Sequence, residues 1–69
     1  MKLSARNQIK GTIIEVRKGV TTTHVRIDIG EGRVITSAIT NESAEELGLA
    51  PGKEAYAIIK ASDVMVAVD

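Results

Sequence analysis

The chain has no cysteine, no phenylalanine and no tryptophan, and only one tyrosine, Tyr56, one histidine, His24, and one proline, Pro51. Without cysteine there are no disulfides and no thiolate metal site. One histidine is too few for a histidine-rich metal site. His24 also has no evident nucleophile to activate, and no paired acids stand at suggestive positions, so an enzyme is not expected. Asp63 and Glu54 read as surface charges. A lone tyrosine gives no stacking platform for single-stranded nucleic acid. Nine basic residues cancel nine acidic ones, so the electrostatic footprint of a nucleic-acid binder is missing too. No apolar run approaches the length of a membrane span, and no charged-then-apolar leader opens the chain. The expected location is the cytoplasm, with neither nucleic acid nor membrane as partner.

With 69 residues, the chain is expected to be a single domain over 1–69. A domain of this size buries only about 60% of its unfolded surface and is marginal alone. Disulfides and thiolate metals being excluded, oligomerisation is the remaining way to stabilise it. The apolar residues are valine, isoleucine, leucine, alanine and methionine. Such small, mostly branched side chains suit strands packed closely on strands, and their low volume favours a core shared between subunits.

Hydrophobic periodicity divides the chain into strands. Asn7 to Arg17 reads as the first, with Ile9, Ile13, Ile14 and Val16 apolar. Gly11 interrupts it, as glycine does at a bulge or a close backbone approach. Thr21 to Ile29 alternates cleanly: Val25, Ile27 and Ile29 against His24, Arg26 and Asp28; His24 reads as solvated, and Arg26 and Asp28 as solvated or cross-strand paired. Gly30-Glu31-Gly32 is a hairpin turn; a phosphate-binding loop would need a following helix and a lysine that are not there. Arg33 to Ile39 is a third strand, with Ile35 and Ile39 on one face and Val34 and Ala38 on the other. Thr40 to Gly48 is the only helical signal, with Thr40 or Asn41 as cap, acids in its first turns and Gly48 as terminator. Lys53 to Ala61 is a fourth strand, with Ala55, Ala57 and Ile59 facing away from Tyr56 and Ile58. Val64 to Val68 is a fifth, apolar at every position, and so buried on both faces. Three strands, a short helix and two strands is the order of a small five-stranded OB-like barrel. The expectation is an all-β, oligomeric domain.

Three clusters of hydrogen-bond donors stand on this frame. Ser4-Ala5-Arg6-Asn7 places a hydroxyl, a guanidinium and an amide just before the first strand. Arginine offers five N–H donors in a rigid fork and accepts nothing, which suits a small oxyanion. Lys60-Ala61-Ser62 ends the fourth strand, and the fold is expected to bring it to the first cluster. Thr40 and Ser43 sit at the helix start, where free N–H groups attract anions. Each cluster also has an ordinary structural reading: a solvated lead-in to a strand, an N-cap, a solvated lysine and a turn serine.

Ser4-Ala5-Arg6-Asn7-Gln8-Ile9-Lys10-Gly11 resembles the opening signature of the molybdenum–pterin-binding proteins, or molbindins, built on the Mop domain. Lys18-Gly19-Val20, Ile39-Thr40-x-x-Ser43 and Ile59-Lys60-Ala61-Ser62-Asp63-Val64-Met65 are similar to its later signatures, in order and at family spacing. Each motif alone is weak; the four together are specific and span essentially the whole chain. The resemblance implies an OB-like domain that binds molybdate or tungstate at subunit interfaces. It implies a hexamer, a trimer of dimers, that stores the oxyanion inside the cell. Ser4, Arg6, Lys60 and Ser62 match binding positions, together with the backbone N–H of Ala61. Thr40 and Ser43 would come from a neighbouring subunit. The family also has a second class of site, which these motifs do not map. Its tandem-domain and DNA-binding members are not matched, because this chain has one unit and no helix-turn-helix. Metal is expected only within the oxyanion, and no organic cofactor is expected.

The residue chemistry agrees with that implication. Molybdate carries two negative charges and no proton at neutral pH; Arg6 and Lys60 supply two positive ones, and the four hydroxyls can all turn to donate. A shell of donors disfavours phosphate, which near neutrality often keeps a proton in need of an acceptor. The rival readings are a nucleic-acid-binding OB module and a purely structural oligomerisation module. The first lacks aromatics and basic charge. The second leaves the Ser4/Arg6 and Lys60/Ser62 clusters unexplained.

Overall fold

Branched apolar residues at alternate positions build one antiparallel sheet. The computed structural model describes residues 1–69. Its strands are β1 (Asn7–Lys18), β2 (Thr22–Gly30), β3 (Arg33–Thr40) and β4 (Glu54–Ile59), with a short helix, α1 (Asn41–Glu46), between β3 and β4. The sheet order is β3-β2-β1-β4. β1 is the organising strand because it serves two partners along its length. Its first half, Asn7 to Thr12, pairs with β4; from Thr12 to Lys18 it pairs with β2. A strand that changes partner midway must bend, and its register shifts between Ile13 and Glu15. Gly11 marks the close approach that its position suggested: a Cβ there would lie 2.6 Å from the Asp28 carbonyl oxygen and 2.7 Å from Ile27 Cγ2.

The core lies on the concave face. Ile13, Val25, Ile27 and Ala57 are buried, and Ile9, Ile35 and Ile39 pack against them. These are the faces expected of β2, β3 and β4. On the opposite face of β2 the expected cross-strand pairing is present, Arg26 reaching Glu15 at 3.5 Å. Lys10 pairs with Glu54 at 3.2 Å, and the hydrogen bond to Glu54, then the charges of Glu54 and Tyr56, hold its ammonium above its usual pKa. The β2–β3 connection is the expected hairpin, with Asp28 Oδ1 accepting from Gly30 N at 2.8 Å and Glu31 in the left-handed region at φ 55°.

The helix is fixed at both ends by named contacts. Thr40 is its N-cap, accepting from Ser43 N. Past its end Gly48 takes φ +63°, which an L side chain adopts at a cost. Gly48 N then donates to Glu45 O and Leu49 N to Ala44 O, the paired bonds of a Schellman ending. Lys53 Nζ donates to the carbonyls of Leu47 and Gly48.

The tail departs from the sequence expectation. There are four strands in the chain rather than five. Ala61–Asp63 forms a single 3-10 turn, and the residues after it pair with no strand. Met65, Val66 and Val68 are 94, 89 and 92% exposed. A strand needs an edge to pair with, and this chain lays none of its own alongside that segment. Only 6 of 69 residues are buried, so one copy leaves most of its apolar residues partly in water.

Candidate functional site

The β1–β4 ladder ends at the pair Asn7–Ile59, and Asn7 Nδ2 donates to Ile59 O at 3.1 Å. Arg6 and Lys60 are the next residues on the two strands. The lead-in with Ser4 and Arg6 and the exit with Lys60, Ala61 and Ser62 therefore leave the sheet together, as their spacing suggested. All five residues are exposed: Ser4, Arg6, Lys60 and Ser62 make no side-chain hydrogen bond within the chain, and the ion pairs are made by Lys10, Lys18 and Arg26 instead. Lys60 and Arg6 thus bring two cations to one end of the sheet, neither of them in an ion pair. The N–H groups of Ala61 and Ser62 open the 3-10 turn and donate to no carbonyl of the chain. This end of the molecule is rich in donors and short of acceptors.

Thr40 and Ser43 stand elsewhere. Thr40 pairs with Thr22, and the adjacent Thr23 pairs with Lys18 at the far end of β1 from Asn7. The two donor clusters therefore occupy opposite ends of the longest strand, and one chain does not join them. Thr40 Oγ1 accepts from Ser43 N at 3.0 Å and donates to Ser43 Oγ at 2.9 Å. The Ser43 hydroxyl keeps its own proton free to donate. The free N–H groups expected at the helix start are partly used: Ser43 N by Thr40, and Asn41 N by Thr21 O at 3.0 Å.

The sequence named Asn41 only as a possible cap. In the structure it ties α1 to the loop before β2, through Nδ2 to Gly19 O and Val20 O, both at 3.0 Å, while its Oδ1 accepts from Thr23 Oγ1 at 2.6 Å. The only hint in the sequence is three threonines followed, eighteen residues on, by an amide, and nothing in spacing makes that pair visible. Beside this loop lies a polar groove of about 360 Å³ lined by Arg17, Lys18, Thr21, Thr22 and His24. A larger, mostly apolar groove of about 670 Å³ opens along the concave face, with Ile13, Ile27, Ile35, Ile39 and Leu49 in its walls.

The fold defines a small all-β domain on one curled four-stranded antiparallel sheet, its donors gathered at the two ends of its longest strand. A family model for the TOBE domain matches residues 3–66. A probable molybdenum-pterin-binding protein from Haemophilus influenzae is 51% identical over 69 residues, covering 100% of both chains. The solved structure of MopII from Clostridium pasteurianum superposes with a TM-score of 0.90 at 45% identity, covering 97% of this chain and 100% of that one. A molybdate-binding protein from Sporomusa ovata superposes with a TM-score of 0.92 at 34% identity, over 99% of this chain and 100% of the other. The chain belongs to the TOBE-domain family and, within it, to the molybdenum-pterin-binding proteins. That family is one of binding proteins rather than enzymes.

Proposed function

We propose that the protein binds and stores molybdate, with tungstate as a second guest, at sites completed between the subunits of a homo-hexamer in the cytoplasm. The observation that carries this reading is the placement of Arg6 and Lys60 directly beyond the last pair of the β1–β4 ladder, two cations that form no ion pair within the chain. Around a divalent anion they form a shell with Ser4, Ser62 and the Ala61 N–H. Buried charge is tolerable only when paired and hydrogen-bonded, and this shell does both. Arg6 presents two parallel N–H bonds to two oxygens of one anion; Lys60 adds charge at a point. The names carried by the relatives support the same guest.

Assembly follows from what one chain leaves undone. Thr40 and Ser43 reach the anion only from another copy, because their own copy holds them at the other end of β1. Val64–Val68 is an apolar segment without a partner, and β3 and β4 each keep one unpaired edge. A neighbour's edge is the natural seat for that segment, which then becomes the fifth strand of an OB-like barrel. The trimer of dimers comes from the family resemblance.

Native mass spectrometry with and without molybdate tests both statements together. The expected result is six subunits carrying molybdate. A monomer carrying no anion overturns the reading. Salt-resistant, sequence-selective binding of an oligonucleotide in its place favours a nucleic-acid module.

A further inference from the structure

We infer that Asn41, held by Thr23, is the positioning residue for the Thr40/Ser43 half of the oxyanion site. This rests on the proposed function and concerns which residue sets the geometry of that half.

Thr40 ends β3, where it pairs with Thr22, but Ser43 belongs to a helix too weak to place it unaided. α1 has six residues, Asn41–Glu46, and an isolated helix that short is not stable in water. Its packing is thin as well, since Ala44 is its one buried residue. Hydroxyls on such an element wander unless something fixes them, and a binding shell that wanders loses its preorganisation. Asn41 lies between the two, one residue after Thr40 and two before Ser43, and every hydrogen-bonding group of its amide is used. Nδ2 donates to Gly19 O and Val20 O, Oδ1 accepts from Thr23 Oγ1, and the backbone N donates to Thr21 O.

The chemistry fixes the orientation of this amide. Gly19 and Val20 offer carbonyls, which only accept, so the nitrogen must face them. The oxygen then faces Thr23, whose hydroxyl must donate. Thr23 is 2% exposed and is the only buried polar residue of the chain. Such a side chain is tolerated in a core because it is satisfied, and Asn41 is its partner. The bond therefore runs from the core of the sheet to the residue between the two site hydroxyls.

The test is molybdate titration by calorimetry on the whole assembled protein, for wild type, Asn41→Ala, Thr23→Val and Thr23→Ser, each well below its own melting midpoint. Valine matches threonine in shape and removes only the hydroxyl; serine keeps it. Asn41→Ala and Thr23→Val are expected to weaken molybdate binding roughly tenfold or more, as losses of outer-shell partners do. They should also narrow the preference for molybdate over sulfate, a readout that lost fold stability alone does not move. Thr23→Ser should restore both. Wild-type affinity and selectivity in folded Thr23→Val overturns the inference, and so does a Thr23→Ser variant as poor as Thr23→Val. If Asn41→Ala does not fold, the Thr23 pair decides. If wild type binds no molybdate, the proposed function falls and takes this inference with it; if wild type binds molybdate and folded Thr23→Val binds it as well, the inference falls and the proposed function stands.

Discussion

Arg6 and Lys60 differ in what they can offer one tetrahedral anion, and that difference is measurable. The guanidinium gives two N–H bonds in a fixed plane; the ammonium is a flexible point charge. Arg6→Ala is expected to weaken molybdate binding at least about tenfold, since each hydrogen bond to a charged partner contributes that much or more. Ser4→Ala and Ser62→Ala should cost less, and Arg6→Lys should recover only part of the loss because the fork is gone. Calorimetric titration of the four variants checks the order. Molybdate affinity unchanged in Arg6→Ala removes Arg6 from the site. At this scale the sequence was legible for where Ser4, Arg6, Lys60 and Ser62 stand, together at one end of the sheet, because each lies near a strand end that apolar periodicity locates. Asn41 and Thr23 were not legible. Their bond spans eighteen positions and depends on how β2, β3 and the loop before β2 are stacked, which no local pattern encodes.

Among the elements, β1 decides whether the sheet closes around its core. It can bend from β4 towards β2 only if nothing stands between Gly11 and the backbone of β2. Gly11→Ala puts a methyl group 2.6 Å from Asp28 O, and the backbone there cannot yield as a flexible side chain would. The expected cost is about 1–3 kcal/mol, the usual range for forcing a methyl into filled space. Thermal melting of Gly11→Ala beside wild type checks it; an unchanged midpoint means the strand has slack there. Alternation alone located the faces of β2, β3 and β4, and the caps located α1. It could not show that β1 serves two partners, because period-two patterning states which face a residue occupies and not which strand lies alongside. Nor could it say that the apolar tail has no seat within its own chain. A continuous apolar run reads as a buried strand whether the cover comes from the same copy or another.

At the scale of the molecule, the tail and the site make one argument. Val66 is 89% exposed in the single chain and belongs to none of its core, so Val66→Asp leaves the packing around Ile13, Val25, Ile27 and Ala57 untouched. Buried in a neighbour, a side chain of this kind contributes roughly 1.5–3 kcal/mol per subunit, and a carboxylate placed there instead must be desolvated without a partner. Because Thr40 and Ser43 cannot reach Arg6 of their own chain, losing the assembly should lose the site as well. Val66→Asp is therefore expected to fall apart to smaller species at low micromolar concentration and to bind molybdate far more weakly. Arg6→Ala is expected to stay assembled while losing the anion, since its strands are unaltered. Sedimentation equilibrium with and without molybdate separates the two behaviours. If Val66→Asp assembles as wild type does, the tail is not the joint between subunits; if it dissociates yet binds molybdate undiminished, one chain suffices for the site and Thr40 and Ser43 have no part in it.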